Sequence, residues 1–194
     1  DEYNNHVEDF TGEVRVSTTS QFATLSDADP TTPGVISVSA VAGVAKFETV
    51  NLIATPGYPV VMKFESDRLT AVDSLGLDVV AAAPFRLALE VEPVGSRTGG
   101  PLHLNPVIHV LDEFNNKVLS DDLTQVTVEV ANSAEQTVLD GTTTLTVVDG
   151  EVSFTDLRFV GRPGVKFNLM FTAESLAGSE LVQLKEVMSS DFTV

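Results

Sequence analysis

Three observations predict an all-β chain of two antiparallel β-sandwiches in tandem, the first lacking its N-terminal strands. One stretch occurs twice, as AGVAKFETVNLIATPGYPVVMKF at 42–64 and DGEVSFTDLRFVGRPGVKFNLMF at 149–171. Within each copy, apolar residues recur at every second position. The residues ahead of the second copy supply two more strands than those ahead of the first.

The copies align without a gap. Gly43 matches Gly150, Phe47 matches Phe154, Leu52 matches Phe159, Pro56-Gly57 matches Pro163-Gly164 and Phe64 matches Phe171. The offset is 150 − 43 = 107 at one end and 171 − 64 = 107 at the other. Val152 and Phe154, then Leu157 and Phe159, then Phe167, Leu169 and Phe171 alternate with polar neighbours. A period of two turns such side chains to one face of a strand, the face that enters a core. Proline fixes φ and glycine permits φ > 0, so Pro56-Gly57 and Pro163-Gly164 are turns. Two antiparallel segments joined this way are expected to form a ribbon that a second sheet must cover.

Taken in order, the chain opens with Asp1-Glu2-Tyr3-Asn4-Asn5, which returns as Asp112-Glu113-Phe114-Asn115-Asn116. Asx side chains bond nearby backbone and tolerate the left-handed region, so the pentad is a tight loop launching a strand. A strand around 13–18, a loop at 26–34 (SDADPTTPG) and a strand around 35–41 follow, before the first ribbon. Leu75, Leu77 and Val79 alternate and are expected to close the first unit, with Ala81-Ala82-Ala83-Pro84 as a short linker. The proline keeps that linker extended. The second unit begins with Phe85, Leu87, Leu89 and Val91, passes a loop at 93–101, and reaches a strand at 106–111 ahead of the second pentad. Val126/Val128/Val130, Leu145/Val147, the second ribbon and Phe192-Thr193-Val194 complete it. Residues 181–188 are expected to be a helical turn or an irregular insertion. About seven strands in 84–194 suit a two-sheet sandwich. The expected domains are 1–83, N-terminally incomplete, and 84–194, complete.

Composition narrows the function. The formal charge is −17, spread along the chain, which argues against nucleic acid because phosphate binding needs clustered Lys and Arg. The absence of cysteine excludes a disulfide scaffold, thiolate metal sites and a cysteine nucleophile. No apolar run approaches the ~18 residues of a membrane span, so direct membrane insertion is not expected. The N-terminal residues lack the basic and apolar regions of a signal peptide; a mature product or a piece of a longer protein is expected. No G-x-S-x-G, phosphate loop or H-E-x-x-H occurs, so the common catalytic signatures are missing. His6, His103 and His109 are the three histidines, and His109, between Ile108 and Val110, is placed on an outer strand face rather than in a metal site. Glu8-Asp9, Asp27/Asp29 and Asp121-Asp122 are read as solvated loop charge ahead of calcium ligation. With no Trp and two Tyr, sugar stacking is poorly provided for, and the phenylalanines are assigned to core positions.

The motif order resembles the tandem bacterial Ig-like and filamin-like repeats of large extracellular and surface proteins, adhesins and stalks among them. The second unit carries it in Pro106, the Asp112 to Asn116 pentad, Thr127-Val128, Gly141-Thr142, Gly150, Phe154, Leu157 and Pro163-Gly164. The first unit carries the part from Asp1 on, with Tyr3 in place of Phe114. The resemblance implies two Ig-like (filamin-type) sandwiches, no catalytic residue, no cofactor and a location outside the cell or on its surface. By analogy with other tandem extracellular domains, calcium at the junction would draw on Asp78, Glu90 or Glu92 with the Asp112-Glu113 loop.

The expected function is a non-catalytic structural spacer in a larger extracellular or cell-surface protein, its partners being neighbouring repeats of the same or another chain. One alternative is a filament subunit, a homo-polymer built by strand complementation of the first unit. Another is an accessory binding module of a secreted enzyme. Two absent strands would cost the first unit about as much as a typical domain's entire stability, ~5–15 kcal/mol. Upstream residues of the same protein or strands of another molecule are therefore expected beside Val14 and Val16.

Overall fold

The computed structural model describes residues 3, 5–27, 36–67, 69–95, 97–131, 137–177 and 180–194. Asp1, Glu2 and Asn4 of the first pentad, Asp29, and most of the 26–34 loop lie outside them. The described residues hold no helix, and their strands pair antiparallel. The chain is all-β. It divides into two compact units, Asp1–Val80 and Ala81–Val194. That division falls ahead of the expected 83/84 boundary because the expected linker belongs to the second unit. Ala81 packs against its core, and the Ala82 N–H donates to Asp112 Oδ2 at 3.0 Å.

The first unit contains β1 (Glu13–Thr18), β2 (Ala23–Ser26), β3 (Ile36–Ser39), β4 (Asn51–Ala54), β5 (Met62–Ser66) and β6 (Leu69–Asp73). One sheet runs β3-β1-β5-β6, and β2 pairs with β4. β1 therefore has neighbours on both sides, Val16 facing Ile36 and Phe64. The expectation of absent strands beside Val14 and Val16 is corrected. The closing strand is β6 rather than the Leu75/Leu77/Val79 alternation: Leu75 is 89% exposed, and Leu77 makes one bridge to Val60.

The second unit contains β7 (Arg86–Val91), β8 (Val107–Leu111), β9 (Gln125–Val130), β10 (Val138–Asp140), β11 (Thr144–Thr146) and β12 (Glu151–Ser153). β13 (Arg158–Val160), β14 (Lys166–Phe167), β15 (Leu169–Ala177), β16 (Glu180–Gln183), β17 (Val187–Met188) and β18 (Phe192–Thr193) follow. One sheet runs β11-β9-β15-β16 with β17 also on β15; a second runs β12-β8-β7; β10 pairs β13 and β14 pairs β18. Within 181–188 there is no helical turn: residues 181–183 belong to β16 and 187–188 to β17, residues 184–186 between them lie in no strand, and β16 is exposed on both faces, which hides its period. Ile108, Val110, Val126, Leu157, Leu169 and Phe171, drawn from both larger sheets and the segments between them, are completely buried in one core, as a β-sandwich requires.

The duplicated stretch does not fold as a paired ribbon. β12 pairs with β8, β13 with β10, and β15 with β9, β16 and β17. Each segment turns its apolar residues inward from a different place, so a common buried face does not make consecutive strands neighbours.

The repeat is nevertheless reproduced in backbone detail. Val41 and Val44 exchange two hydrogen bonds around Ala42 (φ 48°) and Gly43 (φ 74°), as Val148 and Glu151 do around Asp149 (φ 50°) and Gly150 (φ 69°). Positive φ at both central residues is the hairpin turn that matches strand twist. Gly43 donates to the Phe10 carbonyl and Gly150 to that of Asp121, positions 121 − 10 = 111 apart. A Cβ on Gly150 would lie 2.5 Å from the Val118 carbonyl oxygen, and one on Gly43 would meet that of Val7, again 118 − 7 = 111 apart. Backbone on both sides leaves no room to yield. Gly150→Ala is expected to destabilise the second unit by about 1–3 kcal/mol, measured as a shift in its thermal midpoint.

Candidate functional site

The acidic residues nominated for calcium have distinct surroundings within their own units. Asp112 is fully buried, and its carboxylate accepts from four donors. Phe114 N (2.9 Å) and Asn116 N (2.8 Å) reach Oδ1; Asn116 Nδ2 and Ala82 N (both 3.0 Å) reach Oδ2. Four donors saturate a carboxylate's lone pairs. Burial pushes the Asp112 pKa up, but the hydrogen bonds from Asn116, Ala82 and Phe114 outweigh it and hold the group below its ordinary value. The Asn115 backbone sits at φ 70°, the left-handed turn that the pentad's Asn residues tolerate.

Glu92 accepts from Ser190 N at 2.9 Å and Ser190 Oγ at 3.2 Å. Glu90 stands 3.8 Å from His109 Nδ1. Glu113 is exposed, as is Asp78 in the first unit. Among the described residues, no group of three or more His, Cys, Asp or Glu is placed to hold a metal ion.

Two acids read as solvated loop charge have structural work instead. Asp121 is buried and accepts from the backbone of Leu123 (3.2 Å) and Thr124 (3.1 Å). Asp122 accepts from Asp149 N at 3.0 Å, tying down the repeated turn.

His109 does lie on the outer face of β8, between buried Ile108 and Val110. Its Nε2 is 3.0 Å from Glu151 Oε2, which also accepts from Lys117 Nζ at 2.8 Å. The Lys117 ammonium, then His109, lowers the Glu151 pKa. This cluster links β8 to β12 and was not legible in the sequence, because it depends on the register that sets Glu151 opposite His109. Asp156, also missed, clasps Thr142: its carboxylate accepts from Thr142 N (3.0 Å) and Oγ1 (2.8 Å), and these bonds lower its pKa. All are devices for holding loops and strands together.

The phenylalanine assignment needs one correction. Phe22 is 38% and Tyr58 47% exposed, and their rings stack at 4.1 Å on the first unit. Phe85 and Phe114 are also exposed. Phe22 and Phe114 lie in turns outside any alternation, whereas Phe85 heads the Phe85/Leu87/Leu89/Val91 alternation but precedes β7, which begins at Arg86.

Two geometries remain that bear on function. The first is in the second unit, where the start of β7 runs parallel to the final segment. Arg86 bridges Lys185 in parallel, Leu87 N donates to the Lys185 carbonyl at 3.0 Å, and Lys185 N donates to that of Phe85 at 3.1 Å. The Glu92–Ser190 bonds continue the same alignment.

The second is an open sheet edge on the first unit. β12 is flanked by β8, and β8 by β7. Counting back 107 residues, the counterpart of β12 is 44–46, yet residues 45–50 belong to no strand. Ala45, Phe47, Val50, Leu52, Met62 and Phe64 behind this edge are half-buried. Their counterparts Val152, Phe154, Leu157, Phe159, Leu169 and Phe171 are at most 4% exposed. The Phe47–Phe64 pair keeps the geometry of Phe154–Phe171, with ring centroids 5.7 Å against 5.9 Å apart. The packing is the same, and the cover differs.

Compared with known proteins, the chain matches no family model and no curated protein.

Proposed function

We propose that this chain is a non-catalytic structural spacer of a larger extracellular or cell-surface protein, formed by two Ig-like units of filamin type. The motif order of the duplicated stretch supports the family and the location; the geometry of the second unit supports the mechanical role. The observation that carries the reading is the parallel alignment of β7 with residues 185–190. Tension applied at Phe85 and Val194 pulls parallel neighbours in opposite directions. The Phe85, Leu87 and Glu92 bonds to Lys185 and Ser190 are then loaded together in shear, whereas an antiparallel arrangement would open them one at a time. A unit that transmits force this way sets reach and resists extension without chemistry.

Single-molecule pulling on the full chain, attached at both ends, tests this. The second unit is expected to yield in one step that releases roughly 380–410 Å of contour, less its folded span, from its 194 − 81 + 1 = 114 residues. Glu92→Ala is expected to lower the force of that step. Gradual extension at low force, with no discrete step, would contradict the spacer reading.

A further inference from the structure

We infer that the open edge at residues 44–50 of the first unit is a docking site for a β-hairpin of the chemistry of β7–β8, from outside residues 1–194. The second unit displays the occupant on the equivalent face. There Val110 N donates to the Gly150 carbonyl at 2.9 Å and Phe154 N to that of Pro106 at 3.1 Å. Glu151, Val152 and Ser153 pair with His109, Ile108 and Val107. Ile108 and Val110 are completely buried in the core that includes Phe154 and Phe171.

On the first unit the receiving parts are present. The turn that precedes the edge has the same two hydrogen bonds and the same positive φ angles. The ring pair that such a hairpin would cover is already formed. Residues 45–50 belong to no strand and lie beside a half-buried apolar face; such a segment can accept an added strand, the backbone giving affinity and alternate side chains giving specificity.

Charge agrees with this occupant. Residues 1–80 carry 4 Lys+Arg and 12 Asp+Glu, a net of 4 − 12 = −8. Residues 84–111 carry Arg86, Arg97, Glu90 and Glu92, a net of 2 − 2 = 0. A neutral hairpin adds no repulsion to an acidic acceptor. A second copy of the chain is not the donor, because lending β7–β8 would uncover Leu87, Ile108 and Val110 in its own core and gain nothing net. This inference stands independently of the spacer reading.

The test uses the full chain and a synthetic peptide of residues 84–111, followed by calorimetry and hydrogen exchange. Saturable binding at peptide concentrations below about 1 mM, with at least about tenfold slower exchange at 44–50, is expected. A peptide carrying Ile108→Asp and Val110→Asp is expected to lose both effects. No binding up to that concentration overturns the inference, as does binding that leaves 44–50 unprotected. Concentration-dependent self-association that protects 44–50 while exposing β7–β8 overturns it too, since the occupant would then be a second copy.

Discussion

Phe171→Ala is expected to destabilise the second unit by about 3–5 kcal/mol, the usual cost of emptying a buried phenylalanine site, while Phe64→Ala costs the first unit only about 1–2 kcal/mol. The two residues occupy the same place in the repeat, and each pairs with the same ring partner, Phe154 or Phe47. They differ in cover: Phe171 is 0% exposed and Phe64 is half-buried. A ring already in partial contact with water surrenders less on truncation and leaves a smaller cavity. The wider asymmetry points the same way. Among the described residues, five buried apolar side chains lie in the first unit and eighteen in the second, so the first unit is expected to unfold at lower denaturant. Both tyrosines, Tyr3 and Tyr58, belong to the first unit and there is no Trp. Tyrosine fluorescence therefore follows the first transition alone, while circular dichroism follows both. Midpoint shifts at unchanged slope give the two energies.

Asp112→Asn is expected to cost the second unit about 3–5 kcal/mol, since an amide cannot accept from donors on both sides. Whichever way the asparagine turns, its NH2 faces two of the four donors that now share the carboxylate, stranding either Phe114 N and Asn116 N or Asn116 Nδ2 and Ala82 N. The loss frees the backbone of the pentad loop in one orientation of the amide and detaches residue 82 in the other. The same residue sets an acid limit on stability. Its folded pKa lies below the ordinary carboxylate value, so the unfolded chain takes up the proton first as pH falls. The stabilisation is complete above the ordinary range and is lost as pH drops through the depressed folded value. Glu151 and Asp156 are shifted in the same direction and steepen the loss. Denaturant titrations across the acid range are expected to show a weaker pH dependence in the variant than in the parent chain.

Alternation identified the buried faces well: Val152, Phe154, Leu157, Phe159, Phe167, Leu169 and Phe171 are all in the core. It did not identify neighbours. Period two encodes which way a side chain points, whereas pairing depends on where the intervening turns deliver the next strand. The supposed ribbon is therefore shared among several sheets, and the open edge lies at 44–50 instead of beside Val16. Leu75 misled because a period signals a half-buried strand only when a second layer covers it. Asp112 stands out in the sequence for its charge, but four inward hydrogen bonds put its carboxylate to structural use.

The first unit is open along a segment whose counterpart in the second unit is covered. Residue-resolved hydrogen exchange on the full chain tests it most directly, by comparing Val44–Phe47 with Glu151–Phe154. Slow exchange is expected at Phe154 and in β12, which the ladder to β8 protects, and exchange faster by two or more orders of magnitude at Phe47 and its neighbours. Equal protection of the two segments would contradict it.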